Sequence, residues 1–315
     1  MIVVLSGGTG GAKFVDGLRR LVPPEKLTII VNTGDDHEWW DLYVSPDIDS
    51  ITYLLAGKLS TERGWGVRGD TFHCLQAMQE LGAPAWFSVG DRDLATHLMR
   101  THLLNQGRSV SEATALICER LGVRSRVLPM TDARVETRIT TPSGEISFEE
   151  YFVQRRYRDP VSGVRFAGAT EALPASGVLE AIKNAAIALI APSNPVTSIG
   201  PILSVPGIRK ALAETSAPVV AVSPIVGNTA VSGPAAALMQ AIGLEPSIHG
   251  VCAAYREFLD LLIADPSDSA ATSHLASSGP TIEYANILMR TAEENTAVAR
   301  TALEFAQHLT PAGVR

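Results

Sequence analysis

An apolar run, Ile2-Val3-Val4-Leu5, passes directly into Ser6-Gly7-Gly8-Thr9-Gly10-Gly11 and then into Ala12-Lys13-Phe14. The order strand, glycine turn, helix opens a βα unit and so commits the chain to an α/β architecture. Glycines let the backbone turn sharply and approach a ligand without Cβ clashes. The helix that follows aims its unpaired N–H groups and the positive end of its dipole into the turn. A phosphate or diphosphate is the natural occupant; the bland alternative is a tight turn with no ligand. Four glycines and two hydroxyl residues fill all six positions, which favours the phosphate.

The turn matches neither common phosphate fingerprint. A P-loop ends in Gly-Lys-Ser/Thr, whereas Lys13 stands between Ala12 and Phe14, with no hydroxyl placed for a nucleotide magnesium. A dinucleotide turn wants its third glycine where Lys13 sits and an acid after the second strand. The second strand, Leu27 to Val31, ends in Asn32. An NAD-dependent dehydrogenase is therefore disfavoured.

Strands and helices alternate over most of the chain. This predicts a Rossmann-like three-layer α/β/α fold with a mostly parallel sheet and a small antiparallel β insertion. After the second strand a long polar loop runs to about Asp49. Helices are expected over Ser50 to Ala56, Thr71 to Leu81, and from Gly90-Asp91-Arg92-Asp93 to Gln106, with a short strand at Ala85 to Val89. Ser109 and Glu112 have capping-box spacing and open a helix to Leu121. Val135 to Thr140 and Glu145 to Phe152 alternate apolar and polar residues across Pro142-Ser143-Gly144, which predicts a hairpin. Residues 131–170 are read as a β-hairpin insertion covering the site, within a nucleotide-binding core of 1–130 and 171–315. Ala185 to Ala191 and Pro218 to Val222 read as strands buried on both faces. Ser267 to Ser278 reads as a mobile surface loop, and Ala292 to Leu309 as the last helix.

Of 315 residues, 46% are hydrophobic and 19% charged, enough for a large core. No apolar run reaches transmembrane length, and the N-terminus lacks the basic region of a signal peptide. A net charge of -7 without a basic block argues against nucleic acid. Three widely spaced cysteines fit no disulfide framework or metal site, which points to the cytoplasm.

In such a sheet, ligands bind beyond the carboxyl ends of the strands. The second strand-end segment places Asp35, Asp36, Asp47 and Asp49 within fifteen residues. Carboxylates beside a phosphate require an intervening cation, and hard oxygen ligands near a diphosphate suit Mg²⁺. Turn and helix caps are the alternative for Asp35, Asp36 and Asp49. Arg92, between two aspartates, is read either as an ion-pair knot or as a substrate contact. Ala191-Pro192-Ser193-Asn194-Pro195-Val196-Thr197-Ser198-Ile199-Gly200 and Ser223-Pro224-Ile225-Val226-Gly227-Asn228, with Ser232-Gly233-Pro234 beyond, follow later strands. Asn194 is a candidate to read the edge of a base; a pair of rigid turns is the alternative reading of these loops. Trp39, Trp40, Tyr43 and Trp65 gather near the acidic segment and suggest a stacked, ring-bearing ligand.

Taken in order, Ser-Gly-Gly-Thr-Gly-Gly-Ala-Lys, Val-Asn-Thr-Gly-Asp-Asp, Ser-Pro-Asp-Ile-Asp, Arg-Gly-Trp-Gly, Gly-Asp-Arg-Asp-Leu-Ala-Thr-His, Ala-Pro-Ser-Asn-Pro-Val-Thr-Ser-Ile-Gly-Pro-Ile and Ser-Pro-Ile-Val-Gly resemble the 2-phospho-L-lactate transferases. The actinobacterial members of that family are phosphoenolpyruvyl transferases of coenzyme F-420 biosynthesis. The resemblance implies a Mg²⁺-dependent, homodimeric enzyme. It would move a 2-phospholactyl or phosphoenolpyruvyl group from a guanosine-diphospho donor to the ribityl hydroxyl of the deazaflavin Fo, with release of GMP. Gly8, Thr9, Gly10, Gly11 and Lys13 would then hold the diphosphate. Asp36 with Asp47 or Asp49 would serve Mg²⁺ and catalysis, with Asp36 and Asp49 as the metal pair. Asn194 and Ser198, in the loop that includes Gly200, would contact guanosine. Trp65, Arg92, Asp47 and Asp49 would frame the deazaflavin, and Ser88 stands where archaeal members tend to carry Lys. Replacing Asp36 or Asp49 by Ala would abolish turnover and leave the fold intact. The alternative is a non-catalytic nucleotide-sugar-binding regulatory protein of the wider superfamily.

Overall fold

A computed structural model describes residues 1–227, 229–231, 233–269 and 279–309. Its central sheet holds seven parallel strands. In chain order they are β1 (Ile2–Ser6), β2 (Leu27–Val31), β5 (Arg126–Pro129), β9 (Ile187–Ile190), β10 (Val219–Val222), β13 (Leu261–Ala264) and β14 (Thr281–Tyr284). The remaining strands form three small antiparallel sheets. They pair β3 (His37–Trp39) with β4 (Leu42–Val44), β11 (Ile225–Val226) with β12 (Thr229–Ala230), and β6 (Glu136–Thr141) with both β7 (Gly144–Ser147) and β8 (Gly163–Ala167).

The sheet order is β14-β13-β10-β9-β1-β2-β5. The chain winds one way from β1 through β2 to β5 and the other way from β9 onwards. The strand order reverses between β1 and β9, where a doubly wound sheet opens a crevice at its carboxyl edge. The first strand and the Ala185–Ala191 run therefore lie side by side, with Val4 opposite Leu189.

The continuous apolar runs have a simple cause. Alternate residues of each strand enter different cores. Val3, Leu5, Ile190 and Ala221 pack on one face with α6 (Val178–Lys183), α7 (Gly200–Ser204), α8 (Ile208–Glu214), α9 (Ala235–Ala241) and α10 (Ile248–Tyr255). Val4, Leu189, Val220 and Val222 pack on the other with α1 (Gly8–Leu18), α2 (Pro46–Leu55), α5 (Val110–Arg120) and α11 (Ala292–His308). The remaining helices, α3 (His73–Glu80) and α4 (Asp91–Asn105), lie between α2 and α5 in the chain. The architecture is the α/β three-layer fold that the alternation implied.

Several local expectations shift. The segment after β2 contains the β3–β4 hairpin rather than loop alone, and α2 begins at Pro46, so Asp49 lies inside the helix and is not its cap. Ala85 to Val89 forms no strand; its Trp86 and Phe87 pack instead against Trp39. The hairpin's second strand stops at Ser147, and a π-helical turn covers Glu150–Gln154. The Ser109–Glu112 capping box is present in full. The expected mobile loop lies largely outside the described residues, as do Asn228 and Ser232. No described helix is long and apolar enough to cross a membrane.

Candidate functional site

At the reversal between β1 and β9 lies a cavity of about 780 Å³. Gly7, Gly8, Thr9 and Gly10 form one wall as α1 begins, and Pro192, Ser193, Asn194 and Ser198 form the facing wall. Gly8 takes a left-handed φ of 64°, which a side chain would resist. At Gly10 a Cβ would be driven into the carbonyl oxygen of Pro192. The glycines thus let the two strand-end loops close on each other. Lys13, exposed on the second turn of α1, also lines the cavity and forms no ion pair among the described residues. Gly11 lies beneath the surface, where Ser6 and Ser193 fill the space a Cβ would need. It shapes the turn and does not line the cavity.

The acidic segment is arranged by one residue that the sequence marked only as a mismatch. Asn32 donates from Nδ2 to Asp35 Oδ2 and to Asp47 Oδ2, each at 3.0 Å. Asp47 Oδ1 in turn accepts the Gly8 N–H at 2.7 Å, at the start of α1. Asn32 therefore holds two carboxylates together at the phosphate-type turn. Asp35 Oδ1 is buried and accepts no hydrogen bond among the described residues. Burial, followed by repulsion from Asp47, Glu149 and Asp36, pushes the Asp35 carboxyl well above the usual carboxylate range. Burial lifts Asp47 to about 6 against the hydrogen bonds from Asn32 and Gly8. Glu149, delivered by the insertion, is lifted to about 8 by burial and then by Asp47 and Asp36.

Two carboxylates expected to hold a metal are otherwise engaged. Asp36 is not on the cavity wall. Its Oδ1 accepts from Ser45 at 2.7 Å and its Oδ2 from the Tyr43 hydroxyl at 2.9 Å, while burial still lifts it to about 8. Asp49 reaches the cavity, but both its oxygens are taken by the guanidinium of fully buried Arg100. Burial opposes the charge on Arg100 and Asp49 outweighs it, so the guanidinium stays protonated. His97 lies between Asp49 and Asp93, with its nitrogens 3.5 and 3.6 Å from their oxygens and no aligned hydrogen bond. Asp49, Asp93 and His97 form a buried cluster of metal-ligand type, in which Arg100 already neutralises Asp49.

The Gly-Asp-Arg-Asp segment is a crossed pair of caps. Asp70 accepts from the Arg92 and Asp93 N–H groups at the start of α4. Asp91 accepts from the His73 and Cys74 N–H groups at the start of α3. Arg92 itself is exposed and off the cavity wall, and it makes no ion pair among the described residues. Ser88 lines the cavity. Gly200 does not; it starts α7 against the Phe166 ring. The aromatic cluster divides. Trp39 and Trp40 pack with Trp86 and Phe87 into a small core, and Tyr43 serves Asp36, leaving Trp65 on the cavity wall at 36% exposure, with Arg63 over its ring. Half of the Asn194 amide is committed, because its Oδ1 accepts from Val196 N–H.

Among charged side chains, Asp35, Asp47, Asp49, Asp93 and Glu149 line the cavity, against Lys13 and Arg290. A cavity that combines an anion-binding turn with excess carboxylates fits an anionic ligand carried with a cation.

Comparison with known proteins places the chain in a family. Residues 2–300 match the family described as 2-phospho-L-lactate transferase CofD. The chain is 43% identical to a 2-phospho-L-lactate transferase of Methanococcoides burtonii, over 93% of this chain and 95% of that one. It is 41% identical to a phosphoenolpyruvate transferase of Streptomyces coelicolor, over 98% of each. A crystal structure of a UPF0052-family protein from Bacillus halodurans shares the fold, with a TM-score of 0.60 at 18% identity, over 96% of this chain and 98% of that one.

Proposed function

Because the chain belongs to the 2-phospho-L-lactate transferase family, a family of transferases acting in F-420 biosynthesis, we propose that it transfers a 2-phospholactyl or phosphoenolpyruvyl group from a guanosine-diphospho donor to Fo. The observation that carries this reading is the pairing of an anion-binding glycine turn with Asp35 and Asp47 at the point where the sheet order reverses.

The donor's diphosphate lies at the start of α1, against Gly8, Thr9 and Gly10, with Lys13 adding charge from the next turn. Asn194 and Ser198 meet the guanosine. The ribityl hydroxyl of the acceptor attacks the phosphorus farther from guanosine; a new P–O bond forms, and GMP leaves with the bridging oxygen. Positioning and charge neutralisation do most of this work, as in other phosphoryl transfers. Asp47, on the cavity wall beside the turn, helps to position the attacking hydroxyl.

Mg²⁺ fits the residues present. The unpartnered Asp35 Oδ1 and the mutually repelling carboxylates are hard oxygen donors lacking a counter-charge. Asp35 and Asp47 would hold the ion, with Glu149 beside them. When bound, it neutralises charge on the diphosphate. Asp36 and Asp49 support this group from behind, through Ser45 and Tyr43 in one case and Arg100 in the other.

The test is GMP release measured with and without Fo. Release that requires Fo is expected. Nucleotide binding with no release in either case would replace the transferase by a binding protein of the wider superfamily.

A further inference from the structure

The insertion brings a feature to the cavity that the reaction as described does not use. Phe148 and Phe152 both line it, with ring centroids 5.4 Å apart and planes 20° from parallel. Tyr157 extends the stack, 5.5 Å from Phe152 at 23°. The stack starts at half-buried Phe148 and ends in the open, with Phe152 38% and Tyr157 48% exposed. Large aromatic rings left partly bare beside a cavity mark a place where something planar lands.

The backbone is bent to make this stack. Between Ser147 and Tyr157 the chain forms the π-helical turn, in which the Arg155 N–H donates to the Glu150 carbonyl. Arg156 and Tyr157 then take left-handed φ values of 53° and 44°. The reversal lets the Tyr157 N–H reach the Tyr151 carbonyl and puts its ring on Phe152. Arg155, paired with Glu150 and Asp159, holds the turn. π turns and left-handed non-glycine residues gather at functional sites, where surrounding contacts sustain their strain.

The neighbouring wall is mostly apolar, with Ser223 and Thr229 among its lining residues. Val153, Val226 and Pro234 line it, and a methyl on Gly233 would already touch the Phe152 ring at 3.6 Å. Under the proposed function the nucleobase meets Asn194 and Ser198 on the loop after β9, which leaves the Phe148–Phe152 end of the cavity for the acceptor. Phe rings flanked by Val and Pro suit the two flat faces of a large fused ring.

We infer that Phe148 and Phe152 form the platform on which the acceptor's planar fused ring lies, with Tyr157 backing Phe152 as a positioning residue. The inference rests on the proposed transfer to Fo and adds where the ring of that acceptor sits. The insertion then selects the acceptor, while the sheet's carboxyl edge selects the donor.

Calorimetric titration with Fo, and separately with GDP, tests this on the full chain. Phe152→Ala should weaken Fo binding roughly tenfold, and Phe152→Trp should stay within about twofold of the parent, as expected for a lost or kept stacking ring. Tyr157→Ala should show a smaller loss that Tyr157→Phe restores. GDP affinity should be unchanged in all four. Phe152→Leu, which keeps bulk without a ring, gives the same reading should the Ala variant melt early. Unchanged Fo affinity in Phe152→Ala and Phe152→Leu overturns the platform and leaves the transferase standing. Weakened GDP binding with unchanged Fo binding assigns the stack to the nucleobase instead. Failure of the unaltered protein to bind Fo overturns the functional reading together with the platform.

Discussion

Asp49→Ala is the perturbation that separates catalytic from structural carboxylates in this site. Asp49 is 4% exposed, and its partner Arg100 is 0% exposed. Both carboxylate oxygens accept from the guanidinium, which spans from α4 to α2. Removing the carboxylate strands a buried cation that cannot discharge. Loss of one partner from a buried pair costs about 3–5 kcal/mol. A domain has about 5–15 kcal/mol of stability in total, so this is a large share of it. At roughly 2 °C per kcal/mol for a chain of this size, melting should fall by about 6–10 °C. Urea unfolding followed by circular dichroism measures the loss directly. The double variant Asp49→Ala with Arg100→Met removes both charges and should recover most of it, because a buried pair replaced by apolar groups is often near neutral. A single-variant loss below about 1 kcal/mol, or a double variant no better than the single, would refute the argument. Activity lost in Asp49→Ala therefore does not identify a metal ligand, contrary to what the sequence alone led us to expect.

Asp35→Asn should behave in the opposite way. It relieves repulsion among Asp35, Asp47 and Glu149, so the metal-free fold should be as stable as the parent or more so, while turnover drops roughly a hundredfold or more through lost metal binding; thermal shift with and without Mg²⁺, plus rates, decides. Glu149 and Asp36 are each lifted to about 8 in the folded state. Their contribution to stability is whole below the ordinary carboxylate range and fades as pH rises through 8, so metal-free melting should fall from pH 5 towards pH 8 or so. A metal-free melting temperature that rises over that window would contradict the burial of these acids. Gly10→Ala forces a Cβ into the Pro192 carbonyl; overpacking of this kind costs about 1–3 kcal/mol and should weaken GDP binding about tenfold or more by calorimetry. Unchanged GDP affinity would mean that the turn does not hold the diphosphate.

Much of the fold was legible because its signals are local. The strand-turn-helix opening, the doubly buried strands at 187–190 and 219–222 and the Ser109–Glu112 box depend on residues adjacent in sequence. The site was half legible. Gly8, Thr9, Gly10, Lys13, Asp47, Asp49, Trp65, Ser88, Asn194 and Ser198 do line the cavity, since strand-end loops converge in a doubly wound sheet. What sequence did not reveal was division of labour among like residues. Asp35 and Asp36 are neighbours, yet one faces the cavity and the other faces Ser45 and Tyr43. Spacing could not distinguish them because they follow β2 in a turn without a fixed period. Asp93, His97 and Arg100 lie on successive turns of α4, and only the tertiary approach of α4 to α2 shows that His97 and Arg100 meet Asp49. Glu149 is not legible in the sequence because the alternation from Glu145 onwards continues a strand pattern; the turn that begins beyond Ser147 delivers it to the acids. Two acids and three aromatic rings within Phe148-Glu149-Glu150-Tyr151-Phe152 are the available signal.

The most direct measurement is the mass of the deazaflavin product formed when Fo, Mg²⁺ and equal amounts of the phospholactyl and phosphoenolpyruvyl donors are incubated with the protein. The account predicts a deazaflavin phosphodiester carrying one of the two acids, formed in step with GMP. Fo recovered without added mass, while GDP still binds, would contradict it.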